Sequence, residues 1–359
     1  MNDLKMNRLP VPTWNQCGVN SAPKAAALPE ISGNDWGEVN IAFTLPAGVG
    51  EAETDFETFS ESGMGAETDT YLLENATVRH ALTVAEGVEV AEPALFEVTL
   101  DVAHPNALSV LSVDAKPNSR LTVVQVLRGD AENGAAASLT RIRAAENAHV
   151  QLVQVQLLGG HARHWNAVAI EEGKNAKVDQ VRIELGGRLS ACGAKAQLSA
   201  SKSEYDLDAV YFGGGHAVLD YNDVSVHTAK DTLCEMHTAG VLTGDADKIL
   251  RGTIDFRRGA KRGVGHESED VLLFSPTARN RTAPLILCGE EEVEGQHAAS
   301  IGRLDEEKLY YLRSRGLTEE QARRLMVDAR FAPAIEKIPL DALKDEVRAE
   351  AARRLDHAE

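Results

Sequence analysis

The sequence predicts a mainly β chain that ends in a small α-helical region. Short runs rich in Val, Ile and Leu alternate with polar residues across residues 71–288, as in 150–157 and 178–185. A period of two is the pattern of half-buried strands. After Gly302 the apolar residues recur at helical spacing instead. The change of period marks the boundary between the β region and the helices.

The N-terminal part of the chain lacks either period. Residues 1–45 carry Pro10, Pro12 and Pro29 and little apolar sequence, and residues 48–69 are rich in glycine and acidic side chains. Such composition is typical of a connector. We therefore expect three parts: an irregular N-terminal segment with an acidic linker over 1–70, a β region over 71–302 and a helical domain over 303–359.

A loose repeat marks the turns of the β region. The motif is Asn followed by a small or polar residue and then a strand-like run, at Asn75, Asn118, Asn147 and Asn175, the last three 29 and 28 residues apart. Asn tolerates the left-handed backbone conformation of a tight turn. A turn and strand unit of that length is typical of a parallel β-helix coil. The spacing alone leaves an antiparallel β-sandwich open as well.

The helical region has recognisable ends and faces. The first helix opens on acidic residues and closes on basic residues and a glycine: Asp305, Glu306, Glu307, Arg313, Arg315 and Gly316. Thr318 and Gln321 form a capping box for the second helix. Its predicted apolar stripe consists of Ala322, Leu325, Met326 and Ala329, and a third helix after Pro339 presents Leu340, Leu343 and Val347. These faces must pack on each other, on the β region or on a partner.

Composition excludes several classes of function. The chain has 55 acidic and 37 basic residues, a formal charge of -18, which disfavours nucleic acid as a partner. We find neither a signal-peptide pattern nor a run of apolar residues long enough to span a membrane, so a cytoplasmic protein without membrane contact is expected. Four scattered cysteines indicate free thiols in a reducing compartment.

No nucleotide-binding or hydrolase motif is present, but three groups of side chains could bind a metal. GxxxxGK[ST], GxGxxG, GxSxG and HExxH are all absent, so no nucleotide is expected on this chain. Imidazole and thiolate suit iron or zinc. The candidate groups are His161 with His164; His227, Cys234 and His237; and Cys288 with His297 beside Glu290, Glu291, Glu292 and Glu294. Hydrogen-bonding histidines and a charged junction loop are the alternative interpretations.

Paired carboxylates suggest a different function. Asp206 with Asp208, and Asp220 with Asp223, lie close in sequence and could act as acid and base in a β-helix carbohydrate enzyme. Aromatic residues make up only 5% of the chain, and the chain ends in a helical tail. Both observations argue against that interpretation.

Two stretches resemble a known family. Residues 295–317, GQHAASIGRLDEEKLYYLRSRGL, are similar to the C-terminal signature of SufD, a histidine motif followed by a helix that ends in LRSRG. Residues 241–254, VLTGDADKILRGTI, look like the strand pair of the same family. The chain thus resembles the SufB/SufD family, and SufD more than SufB.

The resemblance implies a right-handed parallel β-helix and a scaffold role in iron–sulfur cluster assembly, with no catalysis by this chain. It implies a SufC-like ABC ATPase as a partner and a dimer with a SufB-like paralogue or with itself, holding a transient iron–sulfur cluster. The ATPase would dock on the helical domain, at Leu309, Tyr310, Leu312, Arg313, Arg315, Gly316, Leu325 and Met326.

The resemblance also singles out His297, which matches the SufD histidine implicated in cluster assembly or iron delivery. Gly295 stands where SufD proteins often have a cysteine, and Ala298 stands where SufB has a glutamate. Residues 278–282 lack the cysteine of the corresponding SufB stretch. We hypothesise that Cys288 replaces the missing thiol. A purely architectural family member, without its own cluster ligands, is the alternative.

Overall fold

The β region folds as a parallel β-solenoid of about eight turns. The computed structural model describes residues 5–28, 36–52, 56, 58–303 and 306–357. These residues form two nine-stranded sheets, and from residue 78 onward the chain passes alternately between them. Neighbouring strands come from successive coils in parallel register, so that His149 pairs with Lys177 and Leu233 with Val264. The solenoid is confirmed and the antiparallel sandwich is excluded.

The strands are numbered in chain order. Sheet A contains β1 Ile41–Thr44, β4 Ala94–Leu100, β6 Arg120–Gly129, β8 His149–Leu158, β10 Lys177–Glu184, β12 Glu204–Gly213, β14 Leu233–Leu242, β16 Gly263–Leu273 and β18 Val293–Arg303. Sheet B contains β2 Val49–Glu51, β3 Val78–Val84, β5 Asn106–Ala115, β7 Ala135–Ala144, β9 Arg163–Glu172, β11 Leu189–Leu198, β13 Val218–His227, β15 Asp247–Phe256 and β17 Arg279–Cys288. Among the strands of the described ranges, β1 and β2 alone pair antiparallel to their neighbours.

Alternate residues of each strand point between the two sheets. At one edge of the solenoid this interior is apolar, and it includes Val123, Leu152, Val168 and Ala196. Further along each strand the interior becomes polar, because inward positions are taken by residues such as Gln154. These polar groups bond to one another, which a buried polar side chain requires.

The predicted Asn turns are confirmed at three of the four positions. Asn118, Asn147 and Asn175 have positive φ angles of 57°, 58° and 52°. Their side chains stack, since Asn147 Nδ2 donates to Asn118 Oδ1 at 2.9 Å and Asn175 Nδ2 donates to Asn147 Oδ1 at 3.0 Å. The prediction is wrong for Asn75, which ends a helix and bonds to the Tyr71 carbonyl oxygen.

The N-terminal segment packs on the outer face of sheet B. Met64 is almost fully buried there, and Asn222 Nδ2 donates to the Gly63 carbonyl oxygen at 2.6 Å. Helix α1, Ala66–Asn75, follows. Residues 62–65 of the predicted linker are irregular, and their small residues let them lie directly on the sheet before α1 begins at Ala66. Residues 53–55 and 57 of the predicted linker lie outside the described residues.

Three helices follow the solenoid: α2 Glu306–Ser314, α3 Glu319–Ile335 and α4 Asp341–Asp356. Asp305, the predicted opening residue of α2, lies outside the described residues. Gly316 follows α2 with a φ of 97°, and the capping box of Thr318 and Gln321 opens α3. Both of these predictions are confirmed.

Helices α3 and α4 cover the outer face of sheet A. Their buried face consists of Ala322, Val327, Phe331, Ala334, Ile335, Leu343 and Val347. Arg128 of β6 anchors α4 by two bonds of 2.7 Å to the Glu346 carboxylate. The predicted stripe on α3 is wrong for Leu325 and Ala329, which are exposed, since the contact with sheet A selects a neighbouring face. No helix in the described ranges combines the length and the apolar character needed to cross a membrane.

Candidate functional site

The last coil of the solenoid leaves its interior face open. Strands β17 and β18 are the outermost strands of their sheets. The register pairs Glu267 of β16 with His297 of β18. Side chains that pair in register between parallel strands point to the same face, and Glu267 is buried. His297 therefore continues an interior column at the open end, where it is exposed.

Cys288 lies on the same open interior. It pairs in register with Phe256, whose ring is part of the apolar interior. A Cβ at Gly295 would lie 3.1 Å from both Phe256 and Ile286. Cys288 is exposed and forms no disulfide. The terminal coil thus presents a thiol and an imidazole on one face, although no direct contact joins them.

Glu267 lies directly behind His297 in this column. Its side chain occupies the space that a Cβ at Gly252 would take, and its Oε2 has no hydrogen-bond partner within the described residues. Burial, with the nearby charges of Asp223 and Glu269, raises the pKa of Glu267 to about 8. Sequence reasoning missed Glu267, because only the register of the coils brings it beside His297.

The acidic loop after Cys288 interacts with its surroundings. Glu290 accepts a hydrogen bond from the Gly259 N–H at 3.0 Å. Glu294, which follows the loop at the start of β18, accepts one from Gln296 at 2.8 Å and lies 3.6 Å from His266. These contacts fit the charged junction loop, the alternative to a metal-binding loop.

Each of the other two histidine groups is divided between the interior and the outer surface of the solenoid. His161 is exposed beside Asp130, at 2.7 Å, whereas His164 is buried in the interior. His227 and Cys234 are buried, whereas His237 points outward and lies 2.8 Å from the Ser268 hydroxyl. Neither group forms the ligand set that sequence spacing suggested.

The paired carboxylates are each engaged by a cation. Asp220 bonds to Arg251, and Asp223 bonds to Arg182. Asp206 and Asp208 bond to Lys177 and Lys337 respectively. Carboxylates that are tied to cations in this way do not form the free acid and base that glycoside hydrolysis needs.

A different cluster lies inside the solenoid. One ligand atom each from His164, Glu184 and Cys192 falls within 4.8 Å of the others, and all three residues are buried. His164 Nδ1 is 3.1 Å from Glu184 Oε2, and the Ser190 hydroxyl donates to the same oxygen at 2.7 Å. The three residues come from β9, β10 and β11, so no local sequence motif indicates that they lie together. The one sequence signal that could have indicated them is the alternation that decides which residues of each strand point inward.

The outer surface of the helical region exposes apolar side chains. Tyr310 is 77% exposed, Tyr311 is 56% exposed and Leu325 is 48% exposed. Leu309, Leu312 and Met326 are half-buried, and Arg313, Arg315 and Gly316 are exposed. Large apolar side chains grouped on a surface are typical of an interaction site.

The fold defines the class, a parallel β-solenoid protein whose last coil leaves a thiol and an imidazole exposed at the end of the stack. Residues 100–330 match the model of the SufBD core domain, described as SUF system FeS cluster assembly. The chain belongs to this family, and it is an iron–sulfur cluster assembly protein of the SufBD type. The resemblance seen in the sequence is confirmed.

Several relatives show how far the likeness extends. The chain is 31% identical to SufD of Bacillus subtilis over 142 residues, which cover 40% of this chain and 32% of that protein. It is 24% identical to SufD of Escherichia coli, over 68% of this chain and 58% of that protein. A SufBD family protein of Mycobacterium tuberculosis is 27% identical, over 77% of this chain and 71% of that protein. The chain spans about a third of the Bacillus protein. For this chain, the activity and the partners of its full-length relatives are therefore matters of proposal.

Proposed function

We propose that the chain is a scaffold subunit of a SUF-type iron–sulfur cluster assembly complex. The observation that carries the proposal is the open interior face of the last coil, which presents His297 and Cys288 in a chain of the SufBD family. The scaffold works in the cytoplasm, where its free thiols stay reduced. Iron and sulfide are its cargo.

The cargo binds at the open coil. Imidazole and thiolate are both iron ligands, and the exposure of His297 and Cys288 leaves them accessible to incoming iron and sulfide. Glu267 lies behind His297, and because its pKa is raised to about 8 it holds a proton at neutral pH within the same column. Neither Gly295 nor Ala298 offers a ligand, so Cys288 is the one thiol on this face within the described residues.

The partner subunit covers the same coil. Strands β17 and β18 end their sheets with unpaired backbone groups, and such edges pair readily with another chain. Ile301, 47% exposed on the interior face of β18, gives the interface an apolar component. A SufB-like paralogue or a second copy of this chain closes the coil and completes the cluster site.

A SufC-like ABC ATPase docks on the helical region. The exposed Tyr310, Tyr311 and Leu325 form the apolar part of that surface, with Arg313 and Arg315 as its basic rim. Since α3 and α4 pack on sheet A, movement of the docked ATPase is transmitted to the solenoid. ATP hydrolysis belongs to the ATPase.

Anaerobic co-purification with the ABC-type ATPase tests the docking surface. The paired substitutions Tyr310→Ala and Leu325→Ala should abolish co-purification, whereas Trp14→Ala, at a residue 80% exposed elsewhere, should leave it intact. A complex that resists the paired substitutions, or an ATPase that never binds the unaltered chain, contradicts the docking proposal.

Reconstitution of the complex with iron and sulfide tests the cluster site. Cys288→Ser and His297→Ala should each lower the iron and sulfide retained by the complex, whereas Cys17→Ser, at the other exposed cysteine, should not. Full cluster retention in both variants favours the architectural family member, whose chemistry belongs to its partner. Gly295 and Ala298 depart from the SufD and SufB patterns. These departures favour the second candidate function, that of an architectural subunit.

A further inference from the structure

A second group of metal-binding side chains lies inside the solenoid, several coils away from the open end. His164, Glu184 and Cys192 occupy inward positions on three successive strands. Their side chains are at most 7% exposed, and one ligand atom from each lies within 4.8 Å of the others. Nitrogen, oxygen and sulfur ligands together suit a metal of borderline softness, such as Zn²⁺ or Fe²⁺.

The surroundings hold the carboxylate of Glu184 in place. Ser190 Oγ donates to Glu184 Oε2 at 2.7 Å, and Gln156 Nε2 donates to the same oxygen at 3.1 Å. Ser190 Oγ also lies 3.6 Å from Cys192 Sγ. Hydrogen-bonding groups that orient the ligands are a regular feature of protein metal sites. Ser190 is thus placed either to orient two ligands or to act as a fourth.

The charges of this region leave room for a cation. Arg182, the nearest guanidinium on β10, forms both of its short bonds with Asp223. A buried carboxylate needs a compensating charge, and Glu184 receives none from a lysine or arginine hydrogen bond in the described chain. The charge of Arg182 acts on Glu184 without a hydrogen bond, so the positive charge that contacts this carboxylate directly is either a proton on His164 or a metal ion bound by all three side chains.

An interior cavity of about 70 Å³ reaches the group. It is lined by His164 and Glu184 at one end, by Gln154 and Asn166 along its course, and by His80 in the first coils. Most of the lining is apolar, but polar side chains such as Gln156 lie close to the ligands, and a water molecule held there can complete the coordination of a three-ligand site.

We propose that His164, Glu184 and Cys192 bind one divalent transition-metal ion, Zn²⁺ or Fe²⁺, inside the solenoid. The ion ties three consecutive strands together across both sheets. This proposal is independent of the cluster site at the open coil, because it concerns the isolated chain and none of the same residues.

Metal content of the isolated chain tests the proposal. The chain is expressed without a histidine tag, purified anaerobically without a partner, and analysed by elemental mass spectrometry. About one equivalent of zinc or iron per chain is expected, and the spectrum identifies which. Expression in cobalt-supplemented medium places Co²⁺ in the site during folding, where a thiolate-to-cobalt absorption band is expected. An unaltered chain that contains no metal and shows no band overturns the proposal.

Matched variants assign the ligands. Cys192→Ser should remove the cobalt band, and Glu184→Gln and His164→Gln should each lower the metal content at least tenfold. Cys234→Ser, at a second fully buried cysteine, and Cys288→Ser, at the open coil, should both retain metal and band. Circular dichroism confirms that each variant is folded. A band that survives in folded Cys192→Ser, or that disappears in Cys288→Ser, overturns the assignment.

Discussion

Arg182 and Asp223 join the two sheets through the middle of the solenoid. The residues are 41 positions apart, yet both guanidinium-to-carboxylate distances are 2.7 Å. Their side chains are 2% and 3% exposed. The pair connects β10 of sheet A to β13 of sheet B, and its parallel bonds fix the distance and the register between the sheets.

Removal of one partner from this pair should destabilise the protein strongly. Arg182→Met leaves the Asp223 carboxylate buried without compensation, at a cost of about 3–5 kcal/mol. The double variant Arg182→Met with Asp223→Leu should recover most of that loss. Urea denaturation followed by circular dichroism measures both. Equal loss in the single and the double variant would show that packing, and not charge, dominates here.

The stability should depend on pH through Glu267. Its pKa is about 8 in the folded protein and near 4.3 in an unfolded chain, so the folded state retains a proton that the unfolded state releases between these values. The contribution of Glu267 to the free energy of unfolding is fully present below pH 4.3 and is lost as pH rises through 8. The loss is up to about 1.4 kcal/mol per pH unit.

The matched variant Glu267→Gln isolates this effect. It should resemble the unaltered protein at pH 5 and exceed its stability at pH 8, as measured by urea denaturation at both values. Parallel pH profiles for the two proteins would refute the assignment to Glu267.

The packing of the helical region on sheet A should depend on Phe331. This side chain is 1% exposed between α3 and the sheet, so Phe331→Ala should cost about 3–5 kcal/mol. Leu325→Ala, on the exposed face of the same helix, should change stability by no more than about 0.5 kcal/mol. Urea denaturation compares the two. Equal effects would mean that the helices do not pack through the Phe331 face.

The Asn turns should tolerate glycine better than alanine. Asn147 has a φ of 58°, and a left-handed conformation costs a residue with a Cβ about 1–2 kcal/mol. Asn147→Ala should therefore lose that amount and the bonds to Asn118 and Asn175, whereas Asn147→Gly loses only the bonds. Thermal denaturation compares the stability of the two variants. An alanine variant as stable as the glycine variant would show that the left-handed conformation of residue 147 costs alanine nothing.

Features governed by neighbouring residues could be predicted from the sequence. The Asn turns, the capping box at Thr318 and the stop at Gly316 depend on a few adjacent positions, and all of them were predictable except Asn75. That exception arises because the preceding residues form α1, whose sequence carries no strong helical period. The exposure of Leu325 was likewise set by a surface that lies far away in the chain.

The sites could be predicted only in part, because the coil register decides them. His297 and Cys288 stand out locally as metal-binding types, yet nothing near them in sequence indicates Glu267, which is one coil away. His164, Glu184 and Cys192 come together because successive strands place alternate residues inward in phase. A single misplaced residue in one turn would separate them, so residue spacing along the chain does not identify them.

The attachment of the N-terminal segment has a consequence for synthesis. Asn7 Nδ2 donates to the Cys192 carbonyl oxygen at 3.2 Å and to Asp220 Oδ1 at 2.6 Å, and Arg251 donates to the Val19 carbonyl oxygen. This N-terminal segment thus binds a surface that is completed only when Arg251 has been translated, 232 residues after Val19. At about 5–20 residues per second, the N-terminal segment waits for more than ten seconds before its binding surface exists. During that interval the contact between Arg251 and Val19 is missing, so the N-terminal segment is held less firmly on sheet B and the nascent chain is open to chaperones and to premature association.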